Sequence, residues 1–222
     1  MSGNIKTYRD LDAGAVDSCD VCIIGTGCGG ATLGVRLAEA GKQIIFIERG
    51  GSYTRQDFDQ REDDMLAKID GGRGLDTSED MSVQLTYGNN VGGASVHYWA
   101  DSYRTPRDRI ALWTEKYGIE GHGEADLTPH FETLERDLHV HEAEPQFRNR
   151  MNQLLEEGAR NLGWSGAPVP IARLPCAKSG YCMQGCSYDF KQSQIVTHIP
   201  RALAANARIY ADCEAIELSW NG

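Results

Sequence analysis

The chain has 222 residues, room for one elaborated domain or two small ones, and its 41% hydrophobic and 24% charged content is ordinary for a chain with a packed core. Asp+Glu 32 against Lys+Arg 22 gives a formal charge of −10, and so acidic a surface repels phosphate, which argues against nucleic acid as a partner. No run approaches the roughly 18–20 apolar residues that span a bilayer, and the N-terminal residues lack the apolar stretch and twin arginines of an export signal. The sequence by itself therefore reads as cytoplasmic, with export alongside a partner subunit as the alternative.

In chain order, residues 19–25 (CDVCIIG) read as a short buried strand that runs into a glycine loop. A helix follows, with Leu33, Leu37 and Ala40 at helical spacing and Gly41 as its terminator. Residues 44–48 (IIFIE) form a second apolar strand, completing a β-turn-α-β unit. Residues 52–80 are polar and charged, interrupted by glycines at 71–74, and read as an excursion over the surface. A second glycine cluster stands at 88–95 (GNNVGGAS). Helical patterns occupy 107–117, 127–138 and 146–162, the second opening on the cap signal of Asp126 ahead of Pro129. The Gly, Pro and Cys content of 163–190 predicts a loop; a helix at 199–206 and a strand at 208–218 close the chain.

The loop Gly25-Thr-Gly27-Cys-Gly29-Gly30 fits G-x-G-x-x-G, with a strand before it and a helix after it. Gly25 makes the tight turn, Gly27 lets backbone approach a pyrophosphate, and Gly30, followed one turn later by Gly34, lets the helix pack close to the sheet. The pyrophosphate sits on the helix N-terminus, where unpaired N–H groups and the dipole favour negative charge. Glu48, eighteen residues past Gly30 at the end of the second strand, is placed to accept hydrogen bonds from ribose hydroxyls and to repel a 2′-phosphate. This motif serves FAD and NAD alike. A nicotinamide-dependent dehydrogenase has no use for the second glycine cluster, in which the Gly92-Gly93 pair lets backbone run flat against a large planar ring.

Three segments in order resemble the glucose-methanol-choline (GMC) oxidoreductase family: CIIGTGCGGATLGVRLAEAGKQIIFIERGG; Gly88 to Trp99 with Arg104-Thr-Pro106; and Gly185 to Ser193 with Thr197 to Leu203 and the following strand. The family's glycine cluster usually carries Gly, Ser or Thr where this chain has Ala94, and its His or Asn comes one position later than His97. The resemblance implies an α/β, Rossmann-like FAD-binding domain of the GMC type, incomplete at its C-terminus. Residues 1–105 form its first part, 106–190 a helical and Cys-rich excursion, and 191–222 the return to it. FAD contacts are implied for Gly25, Gly27, Cys28, Gly29, Gly30, Glu48 and Arg49, then Asn89, Gly92, Gly93, Ser95 and His97, and finally Ala215.

Seven cysteines in a chain with no export signal are expected to be reduced. Cys19, Cys22 and Cys213 read as small apolar residues of strands. Cys176, Cys182 and Cys186 crowd into eleven residues, and thiolates so spaced can wrap a cluster. Structural thiols are the competing reading; zinc with His198 as fourth ligand is a third, although the paired C-x2-C knuckle is missing. The spacing resembles that of GMC dehydrogenases with a three-iron [3Fe–4S] cluster, which implies single-electron transfer away from the flavin, and the Val96-His97-Tyr98 form resembles the branch of sugar, polyol and sugar-acid dehydrogenases. The cluster-free long-chain alcohol oxidase branch resembles the chain around Gly185-Cys186, and a non-enzymatic iron-sulfur or zinc module is the remaining alternative.

The family's catalytic histidine lies near the C-terminus of much longer chains, so no catalytic residue is expected within these 222 residues. The sequence stops at Asn221-Gly222, a hairpin turn pair, and reads as the N-terminal portion of a longer enzyme or one half of a split one. The expected partners are a small alcohol substrate, a C-terminal half or second polypeptide, and an electron-accepting subunit such as a cytochrome. The implied reaction takes the hydroxyl proton to a base and hydride from the alcohol carbon to the flavin.

Overall fold

The computed structural model describes residues 4–220, so the Asn221-Gly222 pair lies outside the described residues. The strands in chain order are β1 (Ile5–Thr7), β2 (Val21–Ile24), β3 (Ile44–Ile47), β4 (Val140–Glu142), β5 (Pro170–Ala172) and β6 (Arg208–Ala211). The helices are α1 (Cys28–Glu39), α2 (Glu62–Ile69), α3 (Arg107–Tyr117), α4 (Glu124–Asp137), α5 (Arg150–Asn161) and α6 (His198–Ala204). They divide into two compact units, Met1–Trp99 with Ser179–Gly222, and Ala100–Lys178.

The first unit is built on a parallel sheet of order β1-β6-β3-β2. Its register pairs Cys22 with Ile45, Phe46 with Ile209 and Ile5 with Ile209. Ile44, Ile45 and Phe46 of β3 are all buried, the unbroken apolar run expected of a central parallel strand covered on both faces. Helices α1 and α6 pack against each other in the same core, which joins Val35 and Ala38 to Ile199, Ala202, Leu203 and Ile209.

Helix α1 buries its small residues more deeply than its leucines, of which Leu37 packs against the core and Leu33 does not. Ala31, Gly34, Val35 and Ala38 are buried, while Leu33 is 52% exposed. Small residues win because the approach is close: a Cβ on Gly34 would stand 2.1 Å from Cζ of the fully buried Phe46.

Two further departures have local causes. The excursion at 52–80 contains α2, whose Met65 and Ile69, one turn apart, are fully buried and form a second small core with Phe58 and Val96. Its first turn carries Glu62, Asp63 and Asp64, which favour the positive end of the helix dipole. The terminal strand ends at Ala211 rather than 218, because Asp212 adopts φ +52. Beyond that break, Asp212 N–H and Cys213 N–H still donate to the carbonyls of Gly50 and Glu48.

In the second unit α3 spans the range read from sequence, and β4 pairs with β5 in antiparallel register, Val140 opposite Ala172. Helix α4 begins three residues earlier than its Asp126 signal suggests. The Asp126 carboxylate accepts from Gly123 N–H at 2.9 Å, capping from inside the first turn and leaving Pro129 within the helix. Helix α5 is capped by Asn149, whose side chain accepts from Asn152 N–H at 2.9 Å. No helix among the described residues is long and apolar enough to cross a membrane.

Candidate cofactor site

At the C-terminal ends of β2 and β3, where open parallel sheets bind their ligands, three stretches of backbone meet. Gly25, at φ +89, turns the chain out of β2 while its N–H donates to Ile47 O at 2.8 Å, so the turn grows directly from the ladder. The segment after β3 and the second glycine cluster then pack backbone on backbone. A Cβ on Gly50 would lie 2.0 Å from the carbonyl carbon of Asn89, one on Gly88 2.1 Å from that of Gly93, and one on Gly93 2.6 Å from Gly27 Cα. Side chains at these positions would force the loops apart, which is the physical reason for the glycine density that the sequence displays.

These loops border a cleft of about 390 Å³ whose lining includes Gly25, Gly27, Glu48, Arg49, Gly93 and Ala215. Helix α1 opens beside it. Gly27 is the N-cap, and the first helical bond runs from Ala31 N to Gly27 O, so the N–H groups of Cys28, Gly29 and Gly30 precede the helical ladder and are the donors an anion would meet. Arg49 lies with its guanidinium 5.6 Å from the centroid of the Tyr87 ring. Glu214, exposed and beside Ala215, adds a carboxylate to the same lining.

Glu48 is buried, and its carboxylate is already in use. Oε2 accepts from Thr26 N–H at 3.0 Å and from the Thr26 hydroxyl at 2.7 Å, and Oε1 accepts from Gly50 N–H at 3.0 Å. The Thr26 hydroxyl accepts in turn from Gly92 N–H at 3.0 Å. Ser95, expected to touch cofactor, spends its hydroxyl internally, donating to Gly92 O at 2.6 Å and accepting from Gln194 N–H at 2.9 Å.

His97 is 3% exposed, and neither of its ring nitrogens has a hydrogen-bond partner among the described residues. The carbonyls on either side of it in sequence bind the buried Lys191 ammonium, which donates to Val96 O at 2.5 Å and Tyr98 O at 3.1 Å, and to Cys182 O at 2.5 Å. Burial lowers the Lys191 ammonium to about 8, partly offset by the nearby Cys182 and Cys186 thiols. Burial also pushes the His97 imidazole below the ordinary histidine range, with Asp70 opposing the shift and Lys191 adding to it. A buried imidazole that resists protonation stabilises the fold above the ordinary histidine pKa and loses that contribution as pH falls through its depressed value. Thermal melts between pH 7 and pH 5 should therefore show a falling midpoint, and His97→Gln should flatten that fall; an unchanged slope in the variant would put the acid sensitivity elsewhere.

The sequence-derived residues are thus brought together in large part. Gly25, Gly27, Glu48, Arg49, Gly93 and Ala215 share the cleft, Cys28 and Gly29 start α1, and Gly30 lies under the turn. Asn89 contributes backbone packing against Gly50, and Gly92, at φ +98, donates to Thr26. The glycine cradle and the unpartnered imidazole of His97 fit a bound dinucleotide with a flat ring system. Thr26, Gly88, Lys191 and Glu214 were not singled out from sequence. Thr26 occupies a variable position of the motif, and the only available signal was a hydrogen-bonding side chain between two glycines.

The cluster reading of the three cysteines finds no support, which leaves structural thiols as the favoured alternative. No group of three or more His, Cys, Asp or Glu side chains among the described residues could hold a metal ion. Cys176 belongs to the second unit, where its Sγ accepts from Lys178 N–H at 3.2 Å, while Cys182 and Cys186 belong to the first, beside the Lys191 ammonium. The zinc variant fails as well, since His198 is fully buried with Nδ1 2.7 Å from Gln194 Oε1. Nothing among the described residues supports a [3Fe–4S] cluster.

Among curated proteins, a long-chain-alcohol oxidase of Arabidopsis thaliana is 28% identical over 197 residues, covering 89% of this chain and 26% of that protein. The chain thus spans about a quarter of the length of this relative and of a second Arabidopsis thaliana long-chain-alcohol oxidase, of which it covers 27%. Among solved structures, a pyridoxine 4-oxidase from Mesorbium loti superposes with a TM-score of 0.63 at 18% identity, over 88% of this chain and 42% of that one. A fungal aryl-alcohol oxidase gives 0.60 at 17% identity, over 89% of this chain and 39% of its own. At such identities the superpositions speak for the fold. The family model for GMC oxidoreductases matches residues 19–220, from the strand before the first glycine loop to the last described residue, and the chain belongs to that family.

Proposed function

We propose that this chain is the FAD-binding portion of an enzyme that oxidises an alcohol group, and that its cleft holds the nucleotide half of the cofactor. The observation that carries the reading is the meeting of Gly27, Glu48 and Gly93 around one cleft at the start of α1. Gly27 and the N–H groups of the first turn would take the pyrophosphate, Glu48 a ribose hydroxyl, and Arg49 with Ala215 the adenine side. Gly92, Gly93 and His97 would lie toward the flavin ring. When bound, FAD supplies a two-electron acceptor for hydride from the alcohol carbon, to be reoxidised by a separate acceptor. The base that takes the hydroxyl proton would come from residues outside this chain, on the same polypeptide or a second one.

For the substrate we favour a long-chain alcohol over a sugar or polyol. The sugar reading rested on the Val96-His97-Tyr98 form and on the three-cysteine spacing, for which no metal-holding group is found among the described residues, whereas a relative matching 89% of the chain is named a long-chain-alcohol oxidase. The test is to purify the chain together with the remainder of its polypeptide, record the flavin spectrum, and follow reduction of an artificial acceptor over a panel of long-chain alcohols, sugars and polyols. We expect a yellow protein with activity concentrated on the long-chain alcohols. Colourless protein that binds a nicotinamide cofactor would refute the flavin assignment, and turnover confined to sugars would refute the substrate.

A further inference from the structure

The motif logic of G-x-G-x-x-G gives its second residue no task, yet Thr26 is fully buried and bonds to two other segments of the site. Its hydroxyl donates to Glu48 Oε2 and accepts from Gly92 N–H, sixty-six residues away, and its own N–H also donates to Glu48. We propose that Thr26 is a positioning residue that sets recognition of the nucleotide ribose, by fixing the Glu48 carboxylate and tying it to the loop that carries Gly92 and Gly93. This rests on the cofactor-site reading above.

An ionised carboxylate is an acceptor only, with about four acceptor positions. Thr26 fills both positions on Oε2 and Gly50 N–H fills one on Oε1, so one position on Oε1 remains, in a side chain that lines the cleft. That remaining position suits a hydroxyl donor and rejects another anion. The terminal torsion of a glutamate is intrinsically broad; with the hydroxyl gone, two N–H groups alone would hold the carboxylate, and Gly92 N–H would lose its acceptor. Valine at this position keeps the shape of threonine and removes only the hydrogen bonding.

The measurement is calorimetric titration of the full chain with ADP and with 2′,3′-dideoxy-ADP, which lacks both ribose hydroxyls. A charge-assisted hydrogen bond to Glu48 should make the wild-type chain prefer ADP by about tenfold or more. Thr26→Val should reduce that preference to about twofold or less, while Thr26→Ser, which retains the hydroxyl, should keep it within about threefold of wild type. A purely structural role for Thr26 would weaken both nucleotides together and leave their ratio unchanged, as would a role confined to packing. If the valine variant does not fold, Thr26→Ala removes the same hydroxyl with less bulk, and the serine variant still decides: a flattened ratio there overturns the proposal. A wild-type ratio near one, with ADP bound, overturns it while leaving the cofactor site standing. A wild-type chain that binds neither nucleotide overturns both.

Discussion

Gly27→Val is expected to abolish flavin retention while leaving the chain folded. At this position the backbone sits at φ −64 and ψ −172, open to any residue, and a Cβ would meet only Gly93 Cα at an ordinary 3.9 Å. The protein by itself therefore has no strong objection to a side chain there. The cleft does, because the added isopropyl group would stand against the first turn of α1, where the pyrophosphate must approach the backbone N–H groups. Losing two or more charge-assisted bonds of about 1.5–3 kcal/mol each corresponds to a drop in FAD affinity of at least about 100-fold. The measurement is flavin absorbance per protein after purification, alongside a thermal melt. Flavin retained at wild-type stoichiometry would place the cofactor elsewhere. Gly93→Ala provides the contrast, since its φ of +58 and a Cβ 2.6 Å from Gly27 Cα should disturb the loops even without ligand.

The largest loss of stability is expected from Gly34→Val. The Cβ alone would fall 2.1 Å from Cζ and 2.5 Å from Cε1 of Phe46, a ring with no exposed surface and no room to withdraw. Relief requires either a shift of α1 away from the sheet or rotation of Phe46 into its neighbours. Overpacking of this kind costs roughly 1–3 kcal/mol and occasionally more, and a contact against a fully buried ring belongs at the upper end. Chemical denaturation should show the midpoint falling sharply, with aggregation the extreme outcome. A variant as stable as the wild type would mean that α1 does not pack on Phe46 in this way.

The contrast between these two glycines describes how far the sequence carries. The β-turn-α-β unit was legible because its signals are local: an apolar strand, a glycine loop, a helix with a glycine stop, and a second strand ending in Glu48. Helix α3 was legible for the same reason. The buried face of α1 was legible only in part: Leu37 packs against the core, but Leu33 is exposed, and the close approach to Phe46 selects Gly34 and its small neighbours. Helix α2 hid in a charged segment since only Met65 and Ile69 reveal it, and two residues one turn apart are a weak pattern. The end of β6 at Ala211 rests on the left-handed conformation of Asp212, which no alternation of residues discloses. In the site, the glycines and Glu48 were found as a motif. Thr26 and Lys191 were missed because their bonds, to the Glu48 carboxylate and Gly92 N–H for the one and to the carbonyls of Val96, Tyr98 and Cys182 for the other, leave no periodic mark in the sequence.

The order β1-β6-β3-β2 also governs when the sheet can form. Strands β2 and β3 are separated by a single helix, so their pairing closes a short loop and can be established early. Among the described residues strand β1 pairs with β6 alone, and Ile5 pairs with Ile209, more than two hundred residues along the chain. Contacts of such separation are slow to form because loop closure must precede them. During synthesis, Ile5–Thr7 must therefore wait unpaired until β6 has left the ribosome, with the whole Ala100–Lys178 unit made in between. The edge of β3 that β6 covers waits with it. Ile5–Thr7 are thus among the last residues to join the sheet, and the interval before they do leaves unpaired edges open to chaperones and to misassociation.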